Sequence, residues 1–144
     1  MGRRYPPLTQ RALSVLVIDA SVAVYACRDA SGFKVLHDTE LVAPALMWSE
    51  ARSAIRETLW RGEVSGEDAM TSYQRLGECP VERIDHAELH METWRITVEL
   101  GWAKAYDAEY VALARILGCR LVTLDGRLHR GVKRLGFVVT PDEI

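Results

Sequence analysis

The apolar run at residues 12–27, ALSVLVIDASVAVYAC, constrains this chain more than any other segment. Arg3, Arg4 and Arg11 precede it, so its outline resembles the charged start and apolar middle of a signal peptide. Asp19 lies at its centre, where a carboxylate opposes membrane insertion by roughly 2.5–3.5 kcal/mol. The run is also shorter than a spanning helix requires. A membrane segment is therefore rejected, and the run is expected inside a protein core with an acid embedded in it. Residues 14–18 are rich in Val and Ile without polar alternation, the pattern of a strand buried on both faces. An acid at the end of such a strand is the first candidate functional group.

A length of 144 residues suits one domain, with roughly 68–70% of the unfolded surface buried. Hydrophobic residues at 49% and charged residues at 26% exclude disorder and collagen-like repeats. Residues 1–12 read as a flexible N-terminal arm and residues 13–144 as a single domain. Helices are expected over residues 20–27 and 33–37, and from Pro44 to Arg61, ended by Gly62. Ser65, with Glu67 and Asp68 behind it, reads as the cap of a helix to Leu76. Asp85 is expected to cap a helix running to Leu100 and closed by Gly101. A helix over 107–117 ends at Gly118, and another spans 126–135. Strands are expected at 41–43, 81–84, 120–123 and 137–140. This alternation implies right-handed crossovers and an α/β fold of three α/β/α layers, with a central, mostly parallel sheet of four or five strands.

In such a sheet, ligands bind at the carboxyl ends of the strands. Asp19 follows the first strand and Asp125 the fourth, while Asp107 opens the helix before that fourth strand. Glu50 lies early in the helix after the second strand. Each has a structural alternative: Asp19 and Asp107 as helix caps, with Ser21 sharing the duty, and Asp125 as a turn residue before Gly126. Glu50 is harder to explain that way. It borders an apolar stripe of Met47, Ala51, Ala54 and Ile55, and no cation stands three or four positions away. A half-buried Glu without a helical partner calls for a cation from elsewhere. Four hard-oxygen donors favour magnesium, with manganese as a substitute, and such an ion suits hydrolysis of a phosphodiester.

Four stretches carry a resemblance: VIDASVAV at 17–24, PALMWSEARSAI at 44–55, YDAEYVALARILGCRLVTLD at 106–125 and the closing short strand. Over about residues 14–140 the chain resembles a PIN-domain ribonuclease, of the VapC type found in bacterial toxin–antitoxin pairs. The resemblance implies a magnesium-dependent endoribonuclease whose acidic metal site falls on Asp19, Glu50, Asp107 and Asp125. The small hydroxyl residues beside the metal fall on Ser21 and Thr123. RNA cut by metal-activated water, a cognate VapB-type antitoxin and a homodimer are the implied substrate, reaction and partners. The pattern departs from the family at Ser53, where Asn is common.

Other features divide between function and packing. Residues 126–141 contain Arg127, Arg130, Lys133, Arg134 and His129 and no acid, so Arg127 and Arg130 are candidate phosphate contacts, against the alternative of a solvated face. Arg52, Arg56 and Arg61 share that ambiguity. His86 and His90 stand one turn apart without an H-E-x-x-H motif. Glu109 is expected on a different helix face from Asp107, exposed. Trp48, Trp60, Trp94 and Trp102 read as core or interface anchors, and Met91, Trp94 and Val98 as a packing stripe. Cys27, Cys79 and Cys119 lack metal or disulfide spacing and fit a reduced cytoplasmic setting. A non-catalytic PIN-fold module binding RNA or antitoxin is the alternative function. A phospho-accepting receiver is disfavoured because Ala20, not a second acid, follows Asp19. The net charge of −2 thus combines an acidic cluster with a basic stretch beside it, and excludes only a uniformly basic surface.

Overall fold

The computed structural model describes residues 15–36, 38–102 and 104–144. The arm expected at residues 1–12 lies outside the described residues. Five strands form one parallel sheet: β1 (Val15–Ile18), β2 (Glu40–Ala43), β3 (Val81–Arg83), β4 (Arg120–Val122) and β5 (Val138–Val139). Their order is β3-β2-β1-β4-β5, which puts β1 at the centre. All four of its residues are buried, as a strand covered on both faces requires.

Six α-helices connect the strands: α1 (Ala20–Cys27), α2 (Leu46–Trp60), α3 (Gly66–Gly77), α4 (Leu89–Leu100), α5 (Tyr106–Leu117) and α6 (Gly126–Val132). The first three pack on one another, and α4 packs on α5, giving the three-layer α/β/α arrangement. Helix α5 is buried nearly all round, and its alanines at 108, 112 and 114 leave no bulk between it and β1 and β4. No helix among the described residues is long and apolar enough to cross a membrane.

Most expected boundaries hold within two residues. Ser65 accepts the amide of Asp68 at 3.0 Å and caps α3 as expected. Two expectations are corrected. Asp85 does not cap α4, which begins at Leu89; residues 85–88 form a turn in which Nδ1 of His86 accepts the amide of Glu88 at 3.1 Å. The stripe Met91, Trp94 and Val98 does not pack inside the chain, because Leu89, Thr93, Ile96 and Thr97 form the buried face of α4. The three outward residues are 58%, 66% and 66% exposed. Trp60 is likewise exposed, whereas Trp48 and Trp102 pack partly against the core.

Candidate active site

Strand order reverses at β1 and β4: β2 and β3 lie to one side of this pair and β5 to the other. A reversal of that kind opens a crevice at the carboxyl ends of the strands. The parallel register sets Ile18 beside Val122, so the next residues, Asp19 and Thr123, meet at the crevice floor. Asp19 is only 5% exposed, and Thr123 is fully buried.

The backbone of Asp19 is extended, and its Oδ1 accepts the amide of Val22 at 3.1 Å, capping α1. Capping does not exhaust its role. The Ser21 hydroxyl donates to the same Oδ1 at 2.5 Å, and the Thr123 hydroxyl donates to Oδ2. Those two hydroxyls are themselves fixed, Ser21 by the amide of Leu124 and Thr123 by the amide of Asp125, each at 3.0 Å. Among the described residues, neutral donors alone hydrogen-bond this carboxylate. Burial raises its pKa, the bonds from Ser21, Thr123 and Val22 oppose that rise, and the charge of Asp125 adds to it.

Glu50 projects from α2 and is half-buried. Its Oε1 accepts the hydroxyl of Tyr110 at 2.7 Å, a neutral phenol. Burial, followed by the bond and charge of Glu50, pushes the pKa of Tyr110 far above the usual range, so the phenol remains a donor. Burial also raises Glu50; Tyr110 opposes this, while Asp107, Asp19 and Glu109 add repulsion. Tyr110, 1% exposed, is the functional residue that sequence reading missed. Its only signal was a hydroxyl one turn from Asp107, on a helix rich in Ala, Val and Leu.

Asp107 stands in the first turn of α5 and is exposed overall, yet desolvation of its carboxylate and the charge of Asp125 raise its pKa, while Arg127 opposes them. Asp125 caps α6, its Oδ1 accepting the amides of Arg127 at 2.9 Å and Leu128 at 3.3 Å. Glu109 is not fully exposed as expected. It is half-buried, desolvation raises its pKa, and it faces His90.

The four acids sit at one edge of the sheet but divide between two hollows. One, about 500 Å³, is lined by Trp102, Lys104, Asp107, Asp125, Arg127 and Gly131, among others. The other, about 430 Å³, holds Ser21 and Glu50 beside Val24, Arg28 and Thr58. Asp19 joins them through Ser21 and through the Thr123–Asp125 link. As they stand, no three His, Cys, Asp or Glu side chains among the described residues are gathered closely enough to ligate one ion. The donors are nonetheless all hard oxygens from separate elements, and Asp19, Glu50 and Asp107 are raised together by burial and repulsion. That chemistry suits magnesium or manganese, and not zinc or copper.

The basic stretch is only partly free. His129 pairs with Glu143 at 3.0 Å, and Arg134 donates to the carbonyl of Glu99 at 3.3 Å. Arg127 and Arg130 are exposed beside Asp125, as are Arg52 and Arg56 on α2, whereas Arg61 is bonded to Glu63.

An acid-edged crevice at the reversal point of a parallel α/β sheet defines the class, and the family model described as PIN domain matches residues 16–133. Over 115 residues, 79% of this chain and 88% of the relative, the sequence is 35% identical to VapC ribonuclease Mb0985 of Mycobacterium bovis. It matches Ribonuclease VapC9 of Mycobacterium tuberculosis to the same extent. The chain belongs to the PIN-domain family, among its VapC ribonucleases. Among solved structures, PAE2754 from Pyrobaculum aerophilum is 25% identical, with a TM-score of 0.70 over 92% of this chain and 93% of that one. VapBC2 from Rickettsia felis, bound to a DNA fragment from their promoter, shares the fold at 15% identity with a TM-score of 0.61, covering 88% and 96% of the two chains.

Proposed function

We propose that this chain is a magnesium-dependent endoribonuclease and the toxin of a VapBC-type pair, hydrolysing RNA phosphodiester bonds. The observation that carries the reading is Asp19: a carboxylate 5% exposed, held among the described residues by hydroxyls and an amide alone, at the reversal point of the sheet. A structural acid so deeply placed would be paired with a cation. Membership among the VapC ribonucleases supports RNA as substrate and an antitoxin as partner.

Asp19, Glu50, Asp107 and Asp125 are the residues proposed to hold the metal, Asp19 and Asp107 most directly. A divalent cation bound there supplies charge neutralisation at the phosphate and activation of water. Ser21 and Thr123 fix both oxygens of Asp19, so the carboxylate cannot swing away. Tyr110 holds Glu50 in the same manner from beneath. Arg127 and Arg130 flank Asp125 and are placed to hold the RNA backbone, a contact that positions without reading sequence. Products with a 3′-hydroxyl and a 5′-phosphate are expected.

Self-association is supported by the stripe of Met91, Trp94 and Val98, which the rest of the described chain leaves uncovered. No disulfide joins Cys27, Cys79 and Cys119, which fits action in the cytoplasm. The deciding experiment incubates the purified chain with a panel of structured RNAs, in magnesium or in EDTA, and maps the cut ends. Discrete cuts in magnesium alone are expected. Protection without cutting would instead identify a binding module.

A further inference from the structure

The hollow on the Asp107 side is lined by a tryptophan, Trp102, that packs only partly against the core. Gly101 ends α4 with a φ of +69°, a conformation that favours glycine, and the amide of Trp102 turns back to donate to the carbonyl of Thr97 at 2.9 Å. Its backbone is therefore fixed. The indole lies against α6 at Gly131, where an added methyl group would make an ordinary 3.6 Å contact with Cζ2. Partly buried on that side, Trp102 turns its remaining surface to a hollow of about 500 Å³ shared with Lys104, Asp107, Asp125 and Arg127.

This combination differs from the other partly or fully exposed tryptophans. Trp94 and Trp60 stand on helix faces outside any cavity described here, whereas Trp102 shares its hollow with two exposed cations and two candidate metal ligands. An aromatic surface beside cations is how single-stranded nucleic acid is held: each base offers a face for stacking, and each nucleotide brings one negative phosphate. Lys104 and Arg127 supply positive groups in the hollow, and the carboxylates beside them, Asp107 and Asp125, are those proposed to hold the metal, which would offset their charge toward a phosphate.

We propose that this hollow is a nucleotide subsite for single-stranded RNA, in which Trp102 stacks a base adjoining the cut phosphate and Lys104 and Arg127 hold the backbone. The inference rests on the endoribonuclease reading for its substrate, but it is tested by binding alone. Full-length Asp19→Asn protein in EDTA is titrated with fluorescein-labelled RNA hexamers of A, C or U, intact or with one abasic position moved along the chain. Trp102→Ala is expected to weaken binding of the intact hexamer roughly 5- to 150-fold, the range of a lost stacking contact, while Trp102→Phe retains most of the affinity. One abasic position should reproduce that loss and add nothing in the Trp102→Ala background.

Lys104 is exposed, so Lys104→Ala keeps the test independent of any folding defect at Trp102. It should lower the slope of log affinity against log salt by about one contact. The proposal is overturned if no hexamer binds, if intact and abasic hexamers differ as much without Trp102 as with it, or if Lys104→Ala leaves the salt slope unchanged. Trp102-dependent binding by a wild-type chain that never cuts RNA would sink the nuclease reading and leave the subsite standing. Cutting by a chain whose hexamer binding ignores Trp102 would do the reverse.

Discussion

Glu92 and Asp19 are both largely withdrawn from solvent, and their surroundings push them in opposite directions. Glu92 on α4 meets Arg115 of α5 at 2.7 Å and Arg95 at 3.0 Å; burial opposes its ionisation, but the two guanidinium groups lower its pKa below the usual value. Arg115 also reaches Glu99 at 2.9 Å, so the network ties α4 to α5. Among the described residues Asp19 meets only neutral donors and another acid, and its pKa is raised. The first carboxylate is satisfied as it stands and contributes to the packing of two helices. The second is satisfied in its hydrogen bonds but not in its charge, the condition of a group arranged for something that binds. Comparing the two separates acids that hold the fold from acids that serve the site.

The largest effect expected from breaking this contrast is on cleavage. Asp19→Asn keeps a side chain that caps α1 as well as Asp does, yet removes the charge at the crevice floor. Cutting of RNA should fall to background while circular dichroism and the melting transition remain those of a folded protein. Undiminished magnesium-dependent cutting would dismiss the assignment. Glu92→Gln should leave cutting unchanged under the same conditions.

Tyr110→Phe comes next. The ring still fills its buried place, and only the bond to Glu50 is lost. Partners that orient a metal ligand typically contribute 10- to 100-fold to metal affinity or activity. The magnesium concentration giving half-maximal cutting should therefore rise by about that factor, with the maximal rate largely restored at high magnesium. A lowered maximal rate at unchanged magnesium dependence would show that Tyr110 does not act through Glu50. Smaller again is the effect of removing Arg127 and Arg130 together, which should weaken cutting and lower its salt slope by about two contacts. An unchanged slope would return both arginines to an ordinary solvated helix.

Much of this contrast was legible in the sequence, for identifiable reasons. β1 announced itself because a central strand covered on both faces needs unbroken Val, Leu and Ile, and the acid ending it stood out against them. Gly62, Gly101 and Gly118 marked helix ends because each adopts a positive φ there. Tyr110 could not be foreseen as the partner of Glu50, since 60 positions separate them and only the folded sheet brings the two helices' residues together. The inward face of α4 was misread for another reason. Thr93 and Thr97 look polar, but their hydroxyls donate to the carbonyls of Leu89 and Trp94, which lets them face the core while Met91, Trp94 and Val98 face out. Periodicity locates a stripe without saying which side the core takes. Glu109 shows the same limit: its spacing from Asp107 was read correctly, but a different face proved not to mean an exposed one.

The smallest effects are thermodynamic, and there the two carboxylates should move in opposite senses. Asp19 has a folded pKa above its ordinary 3.8, so the folded state binds its proton more tightly than the unfolded chain does. Its contribution to stability is greatest below pH 3.8 and declines as pH rises through the raised value. Glu92 has a folded pKa below its ordinary 4.5, so its contribution is complete above pH 4.5 and is lost as pH falls through the lowered value. In EDTA at neutral pH, Asp19→Asn should therefore be more stable than the wild type. Glu92→Gln should be less stable, by the worth of a partly buried ion pair. Urea denaturation at a series of pH values between 3 and 7 reads both differences, and each should shrink toward zero in acid. Magnesium then distinguishes the roles: its addition at neutral pH should stabilise the wild type and Glu92→Gln alike and leave Asp19→Asn nearly unmoved. Equal stabilisation of all three would mean that the ion binds away from the buried aspartate.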